Sequence, residues 1–160
     1  MMLMDDYLVG SNPKNVEITK RTIKMYEYRT KVVRVVDGDT VDVDVDLGFG
    51  VWLRKERVRL YGIDTPESRT RDKEEKKYGL AAKAFLKKAL GTSPILKTTK
   101  DGKGKYGRIL GEFIVDDGET GTRVNINQLL IEEHHAAAYH GQSKDEIAEQ
   151  HLINRELVKL

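Results

Sequence analysis

Alternating apolar and polar residues predict β-strands in several parts of the chain. Valine and aspartate alternate from Thr40 to Asp46, and Val58, Leu60 and Gly62 share one parity against three more polar neighbours. Side chains two residues apart lie on the same face of a strand, so this period indicates half-buried strands. The predicted strands are residues 25–36, 40–46, 57–62, 95–99 and 109–115.

Helical periodicity is clearest in the stretch that ends at Leu90. Apolar residues recur there at spacings of three and four, which is typical of an amphipathic helix, and Gly91 follows as a stop signal. The apolar residues of this helix are Tyr78, Ala81, Ala82, Phe85, Leu86, Ala89 and Leu90. The preceding residues, 68–77, are polar throughout, so we expect an exposed, mobile loop.

Two further helices are predicted from their capping residues. Asn125 precedes one apolar run, and Ser143 followed by Glu146 is a capping-box pattern that begins a helix running to Leu160. Three strands, a helix, two strands and two helices predict an α+β fold.

Length and composition place these elements in one domain. We expect a poorly ordered tail at residues 1–22, which lack periodicity, and a single domain at 23–160. The chain has no cysteine, which excludes disulfides, and it has no run approaching the ~18 apolar residues of a membrane span. Its first residues also lack the apolar run of a signal peptide. We therefore expect a cytoplasmic protein without membrane contact; a secreted form with a removed leader is the alternative.

The charges are distributed unevenly along the chain. Residues 1–115 carry 24 Lys and Arg against 17 Asp and Glu, whereas residues 116–160 carry 4 against 9. A basic excess in the first part favours an anionic polymer as partner. An ordinary solvated surface is the alternative interpretation.

Two carboxylates follow the strand at residues 57–62. Pro66 removes an amide donor and restricts Thr65 to extended geometry, so Asp64 and Glu67 are expected on one tight turn. Arg59 precedes them on the strand. A divalent cation and an anionic substrate bound at this turn would together explain why two carboxylates and an arginine lie so close to one another.

A third carboxylate is predicted on the inner side of the sheet. Asp39 follows an Asp-Gly turn and shares parity with the inward valines, and an inward carboxylate needs a cation. Asp42, Asp44 and Asp46 have the opposite parity, which is typical of a solvated strand face. A calcium-binding comb is the alternative for these three residues.

These motifs together resemble the staphylococcal nuclease family. The resemblance rests on Asp39 within Asp-Gly-Asp-Thr, on Arg59 before Ile-Asp-Thr-Pro-Glu at 63–67, and on Lys-Tyr-Gly-Arg at 105–108. It covers roughly residues 30–155. It implies a five-stranded β-barrel of the oligonucleotide-binding (OB) type with three packed α-helices.

The resemblance also implies a role for each motif residue. The hard-oxygen donors favour calcium or magnesium over zinc, and the resemblance implies calcium, held by Asp39, Asp64 and the backbone carbonyl of Thr65. Glu67 would activate a water molecule. The residues that would contact the substrate are Arg59 and Arg108 at the reacting phosphate, Lys105 and Tyr106 at the neighbouring phosphate, and Tyr139 at a base.

The implied function is a monomeric, calcium-dependent nuclease. It would hydrolyse DNA or RNA with little sequence specificity, prefer single-stranded or frayed substrate, and leave 3′-phosphate ends. A non-catalytic OB-type module that binds nucleic acid or protein is the alternative. The four histidines match no zinc pattern, so we interpret them as helix-end and surface residues: His134, His135, His140 and His151.

Overall fold

A computed structural model describes residues 26–103, 107–116 and 119–160, with the backbone alone for residues 100–103. The predicted tail at residues 1–22 lies outside the described residues. The strands are β1 Glu27–Asp37, β2 Thr40–Gly48, β3 Val51–Leu60, β4 Ile63–Asp64, β5 Ile95–Lys103, β6 Ile109–Asp116, β7 Arg123–Asn125 and β8 Ala137–Ala138. The helices in this part of the chain are α1 Lys73–Leu90, α2 Ile126–Glu132 and α3 Lys144–Leu157.

Five strands close into a barrel. β1 pairs with β2 and β5, β2 also pairs with β3, and β5 also pairs with β6, all antiparallel. β3 and β6 complete the ring as a parallel pair, in which Val58 lies opposite Ile109. This closure confirms the predicted five-stranded OB-type barrel.

The barrel interior is filled by the residues that the alternation places inward. Val41, Val43 and Val58 are fully buried, and Phe113 fills the centre from β6. Burial of such side chains stabilises the fold by roughly 1.5–3 kcal/mol each. α1 packs against β1 and α2 through the face that carries Leu86.

The first helix begins earlier than its apolar pattern indicates. Asp72 caps α1 by accepting hydrogen bonds from the backbone N–H groups of Glu74 and Glu75, at 2.9 and 3.1 Å. The prediction of a loop over residues 68–77 is therefore wrong in its second half. Acidic residues in the first turn complement the helix dipole, which stabilises a turn that has no apolar face.

The caps of the other helices are confirmed. The side chain of Asn125 accepts a hydrogen bond from the backbone of Gln128, and Ser143 and Glu146 form the complete capping box. α3 ends at Leu157, three residues before the predicted end. Within the described residues, no helix is both long and apolar enough to cross a membrane.

The outer face of β2 differs from the predicted solvated face. Asp42 is only 8% exposed, and its carboxylate pairs with Arg57 at 2.7 Å and with Arg34 at 3.1 Å. Asp44 pairs with Arg54 at 3.0 Å. Arginines on the neighbouring strands therefore neutralise these carboxylates, which argues against the calcium comb.

Candidate active site

The β1–β2 turn presents two carboxylates beside the turn at residues 64–67, the exit turn, through which the chain leaves β4. Asp39 accepts hydrogen bonds from the Thr40 hydroxyl at 2.9 Å and from the Thr65 backbone N–H at 3.3 Å. Asp37 accepts from the Ser68 backbone N–H at 3.3 Å. Between the two aspartates, a Cβ on Gly38 would lie 2.8 Å from Ala82 Cβ, so only glycine lets this turn approach α1 so closely.

One guanidinium joins the two aspartates that the sequence analysis singled out. Arg59 lies 2.9 Å from Asp39 through Nη1 and 3.3 Å from Asp64 through Nη2, and its side chain is 17% exposed. β3 carries the arginine, and β4 carries Asp64 beyond the bend at Gly62. Asp39 and Asp64 therefore face the same small volume, although 25 residues separate them.

Burial raises the pKa of Asp39 above its ordinary value. The nearby Arg59 and the Thr40 hydroxyl oppose this increase, whereas the charge of Asp64 adds to it. An ionised Asp39 thus depends on neighbouring positive charge, because desolvation disfavours its charged form.

Glu67 extends from the exit turn toward the same carboxylates. Partial burial raises the pKa of Glu67, and the charges of Asp37, Asp39, Glu75 and Asp64 raise it further. The Glu67 backbone N–H donates to Glu75 Oε1 at 3.3 Å, which ties the turn to α1. Glu67 is therefore a stronger base than an isolated glutamate.

A single cleft of about 470 Å³ brings the predicted catalytic residues together. Arg108, the residue just before β6, lines this cleft. The predicted residues that line the cleft are Asp39, Arg59, Asp64, Glu67 and Arg108. With Asp37, Arg57 and Arg69 beside these predicted residues, four arginines and four carboxylates line one cleft, which suits an anionic substrate accompanied by a cation.

The donor set at this cleft fits a hard divalent cation. Asp39 and Asp64 offer carboxylate oxygens, and the position of Arg59 between them shows that positive charge is accommodated there. Across the described residues, no three His, Asp or Glu side chains are grouped closely enough to hold a metal. With two carboxylates as ligands, a hard cation would fill its other coordination positions with a backbone carbonyl, water or substrate, as such cations commonly do.

The interpretation of the histidines as surface residues is wrong for two of them. The His151 Nε2 atom lies 2.8 Å from Asp64 Oδ2, and its side chain is only 13% exposed. His135 is buried, and the centroid of its ring lies 4.5 Å from the centroid of the Phe85 ring. Burial lowers the pKa of His135. A signal existed for His151, because it lies four residues after the buried Ile147 on the same helix.

A second cleft of about 720 Å³ continues from the first and shares Arg59, Asp64 and Arg108 with it. Tyr139, the residue predicted to contact a base, lines this cleft and is 46% exposed. Tyr61, which the sequence analysis did not select, also lines it and is 53% exposed. The available signal was that Tyr61 shares parity with Arg59 in the predicted strand at residues 57–62.

The third motif is only partly described. Lys105 and Tyr106, predicted to contact the neighbouring phosphate, lie outside the described residues. Their role stays a prediction.

Comparisons with known proteins identify relatives of this chain. A family model described as "Staphylococcal nuclease homologue" matches residues 57–158. The chain is 36% identical to the thermonuclease of Staphylococcus intermedius over 118 residues, 73% of this chain and 64% of that protein. It is 36% identical to protein ParB of Escherichia coli over 125 residues, which are 74% of this chain and 63% of that protein. It is 30% identical to endonuclease YhcR of Bacillus subtilis over 120 residues, 71% of this chain and 9% of that protein.

A closed OB-type barrel with this cleft defines a nuclease-like domain. The chain belongs to the staphylococcal nuclease homologue family. The alignments span somewhat less than two thirds of the first two relatives and a small part of the third.

Proposed function

We propose that this protein is a calcium-dependent nuclease that hydrolyses phosphodiester bonds in DNA or RNA. The observation that carries the proposal is the single cleft in which Arg59 and Arg108 face Asp39, Asp64 and Glu67. Relatives named thermonuclease and endonuclease support the reaction class.

The two arginines have the properties of a phosphate clamp. A guanidinium presents two parallel N–H donors and stays charged, so it can stabilise the extra negative charge that develops when water attacks phosphorus. Arg59 is pre-positioned by its carboxylate partners, and Arg108, just before β6, lines the same cleft. We assign both to the reacting phosphate.

Glu67 is the proposed general base. It lies on the turn at the cleft, and partial burial together with neighbouring carboxylates raises its pKa, which strengthens it as a proton acceptor. In this role Glu67 accepts a proton from the attacking water. Asp39 is assigned instead to the proposed cation site, where Thr40 and Thr65 donate hydrogen bonds to its carboxylate and Arg59 pairs with it.

Asp39, Asp64 and the Thr65 carbonyl are the ligands that we propose for calcium. Bound calcium supplies positive charge beside the phosphate. The protein contributes the fixed carboxylates, which the β1–β2 turn and the exit turn hold against each other through the Thr65-to-Asp39 hydrogen bond.

The second cleft gives the substrate a path away from the reacting phosphate. Tyr61 and Tyr139 present exposed rings there, and aromatic rings bind unpaired bases by stacking with little regard to sequence. This supports single-stranded or frayed nucleic acid as substrate. We expect products with 3′-phosphate ends, as the family resemblance implies.

The decisive experiment incubates the purified protein with denatured DNA in the presence of calcium or a calcium-specific chelator. Cleavage that requires calcium and falls by about 10²–10⁴-fold in Glu67→Gln supports the proposal. Glu149→Gln, at an exposed position on α3, is the matched control and should keep full activity. A folded, calcium-bound protein that cleaves no faster than Glu67→Gln would overturn it, and binding without cleavage would then indicate a non-catalytic module.

A further inference from the structure

The C-terminal helix contributes a side chain to the cleft through Asp64. The His151 Nε2 atom lies 2.8 Å from Asp64 Oδ2, across a separation of 87 residues. An ionised carboxylate can only accept hydrogen bonds, so Nε2 must be the donor. Asp64 is thereby held from two sides, by His151 on Oδ2 and by Arg59 on Oδ1.

Packing on both sides of His151 fixes the helix that carries it. Ile147 is buried one turn before it, and Asn154 is buried one turn after it. The Asn154 side chain donates to the Ala136 carbonyl at 3.2 Å, next to the residue that pairs with Asp64 across β4 and β8. The histidine therefore sits on a rigid face of α3.

The other ring nitrogen gives no competing anchor. His151 Nδ1 is buried and has no hydrogen-bond partner within the part of the chain that the structure describes. The contact with Asp64 is then the polar interaction that orients the ring. A buried polar atom is costly to leave unpaired, so a ring placed only to fill space would more favourably be apolar.

We propose that His151 is a positioning residue for Asp64 in the cation site. Its hydrogen bond to Oδ2 keeps the carboxylate plane fixed, so that Oδ1 continues to face the cleft when Arg59 turns to a substrate phosphate. Hydrogen bonds of this kind orient ligand carboxylates, and their loss typically costs about 10–100-fold in metal affinity. This inference rests on the proposed function only in that Asp64 is taken as a ligand of the proposed cation.

The test measures calcium binding to the full chain by titration calorimetry, without nucleic acid. His151→Gln keeps an amide N–H near the position of Nε2, whereas His151→Asn is too short to reach Asp64. We expect His151→Asn and His151→Leu to bind calcium about 10–100-fold more weakly than the native protein. His151→Gln should stay within a few-fold of it, and Leu152→Ala, at an exposed position on α3, should be unchanged.

A purely structural role predicts a different result. It predicts lower thermal stability in chelator for every His151 variant, with calcium affinity unchanged among those that fold. Equal affinities for the Gln and Asn variants would overturn the inference, as would a native protein that binds no calcium. Calcium binding that depends on His151 in a protein that cleaves no nucleic acid would leave this inference intact and reject the proposed function alone.

Discussion

Gly79 of α1 lies against the backbone of Glu67, so closely that a Cβ added to Gly79 would come within 2.4 Å of the Glu67 carbonyl oxygen. The nearest atoms belong to the backbone and cannot move aside as a flexible side chain would. The helix and the exit turn thus set each other's position. The proposed base is located by a helix that begins only six residues after it along the chain.

We predict that Gly79→Ala lowers turnover and stability together. Alanine in a helix interior would by itself stabilise the protein by about 1 kcal/mol, but the backbone clash should outweigh this gain by about 1–3 kcal/mol. Urea unfolding and initial cleavage rates measure the two effects. Ala84→Gly, on the exposed side of α1, measures how much an exchange between alanine and glycine changes stability through helix propensity alone. An unchanged rate with raised stability would show that the contact does not position Glu67.

The two arginines are predicted to act mainly on the chemical step. Arg59→Ala and Arg108→Ala should each lower kcat by about 10²-fold or more, the scale for removing one donor to a developing charge. Arg54→Ala, at the exposed end of β3 away from the cleft, is the matched control. Cleavage rates at saturating substrate give kcat and therefore test this prediction. A rise in KM with kcat unchanged would assign the arginines to binding alone.

Replacing Arg59 has a second expected effect. Its loss removes the cation between Asp39 and Asp64, so the variant should be less stable than native protein in chelator. Added calcium should stabilise the variant more than it stabilises the native protein. Thermal unfolding with and without calcium measures this difference, and equal calcium shifts in both proteins would contradict it.

Stacking in the second cleft is predicted to depend on Tyr61. Tyr61→Ala should weaken binding of single-stranded DNA by about 1–3 kcal/mol, the usual contribution of one stacked base. Tyr61→Phe keeps the ring and should bind as the native protein does. Fluorescence anisotropy with a labelled oligonucleotide in chelator reports affinity without cleavage. If alanine and phenylalanine behave alike, the ring makes no stacking contact.

His135 is predicted to make stability depend on pH near neutrality. Burial lowers its pKa in the folded state, so the unfolded chain binds a proton more readily. The folded state therefore has its full stability above the unfolded-state pKa of about 6.5, and the free energy of unfolding decreases as the pH falls below that value. His135→Gln should reduce this loss. Unfolding free energies in urea at pH 7.5 and 5.5 provide the comparison, and identical pH slopes would contradict the assignment.

Local signals in the chain determined most of the secondary structure. The spacing of apolar residues located α1, and Asn125 and Ser143 marked the starts of α2 and α3, because caps and periodicity depend on neighbours within one or two turns. The resemblance of the motifs to a known family likewise selected residues that the cleft brings together. The tail at residues 1–22, the cytoplasmic location, the monomeric state and the choice of calcium stay predictions.

Long-range partners were decided only by the tertiary structure. Parity along β2 placed Asp42 on the outer face but did not reveal that Arg34 and Arg57 enclose it from the strands on either side. The sequence alone also did not reveal that His151 reaches Asp64 across 87 residues. Periodicity in the sequence predicts on which face of a strand or helix a side chain lies. Barrel closure and helix docking determine which residues that face contacts. The motifs therefore follow from the sequence, and the contacts that orient them follow from the fold.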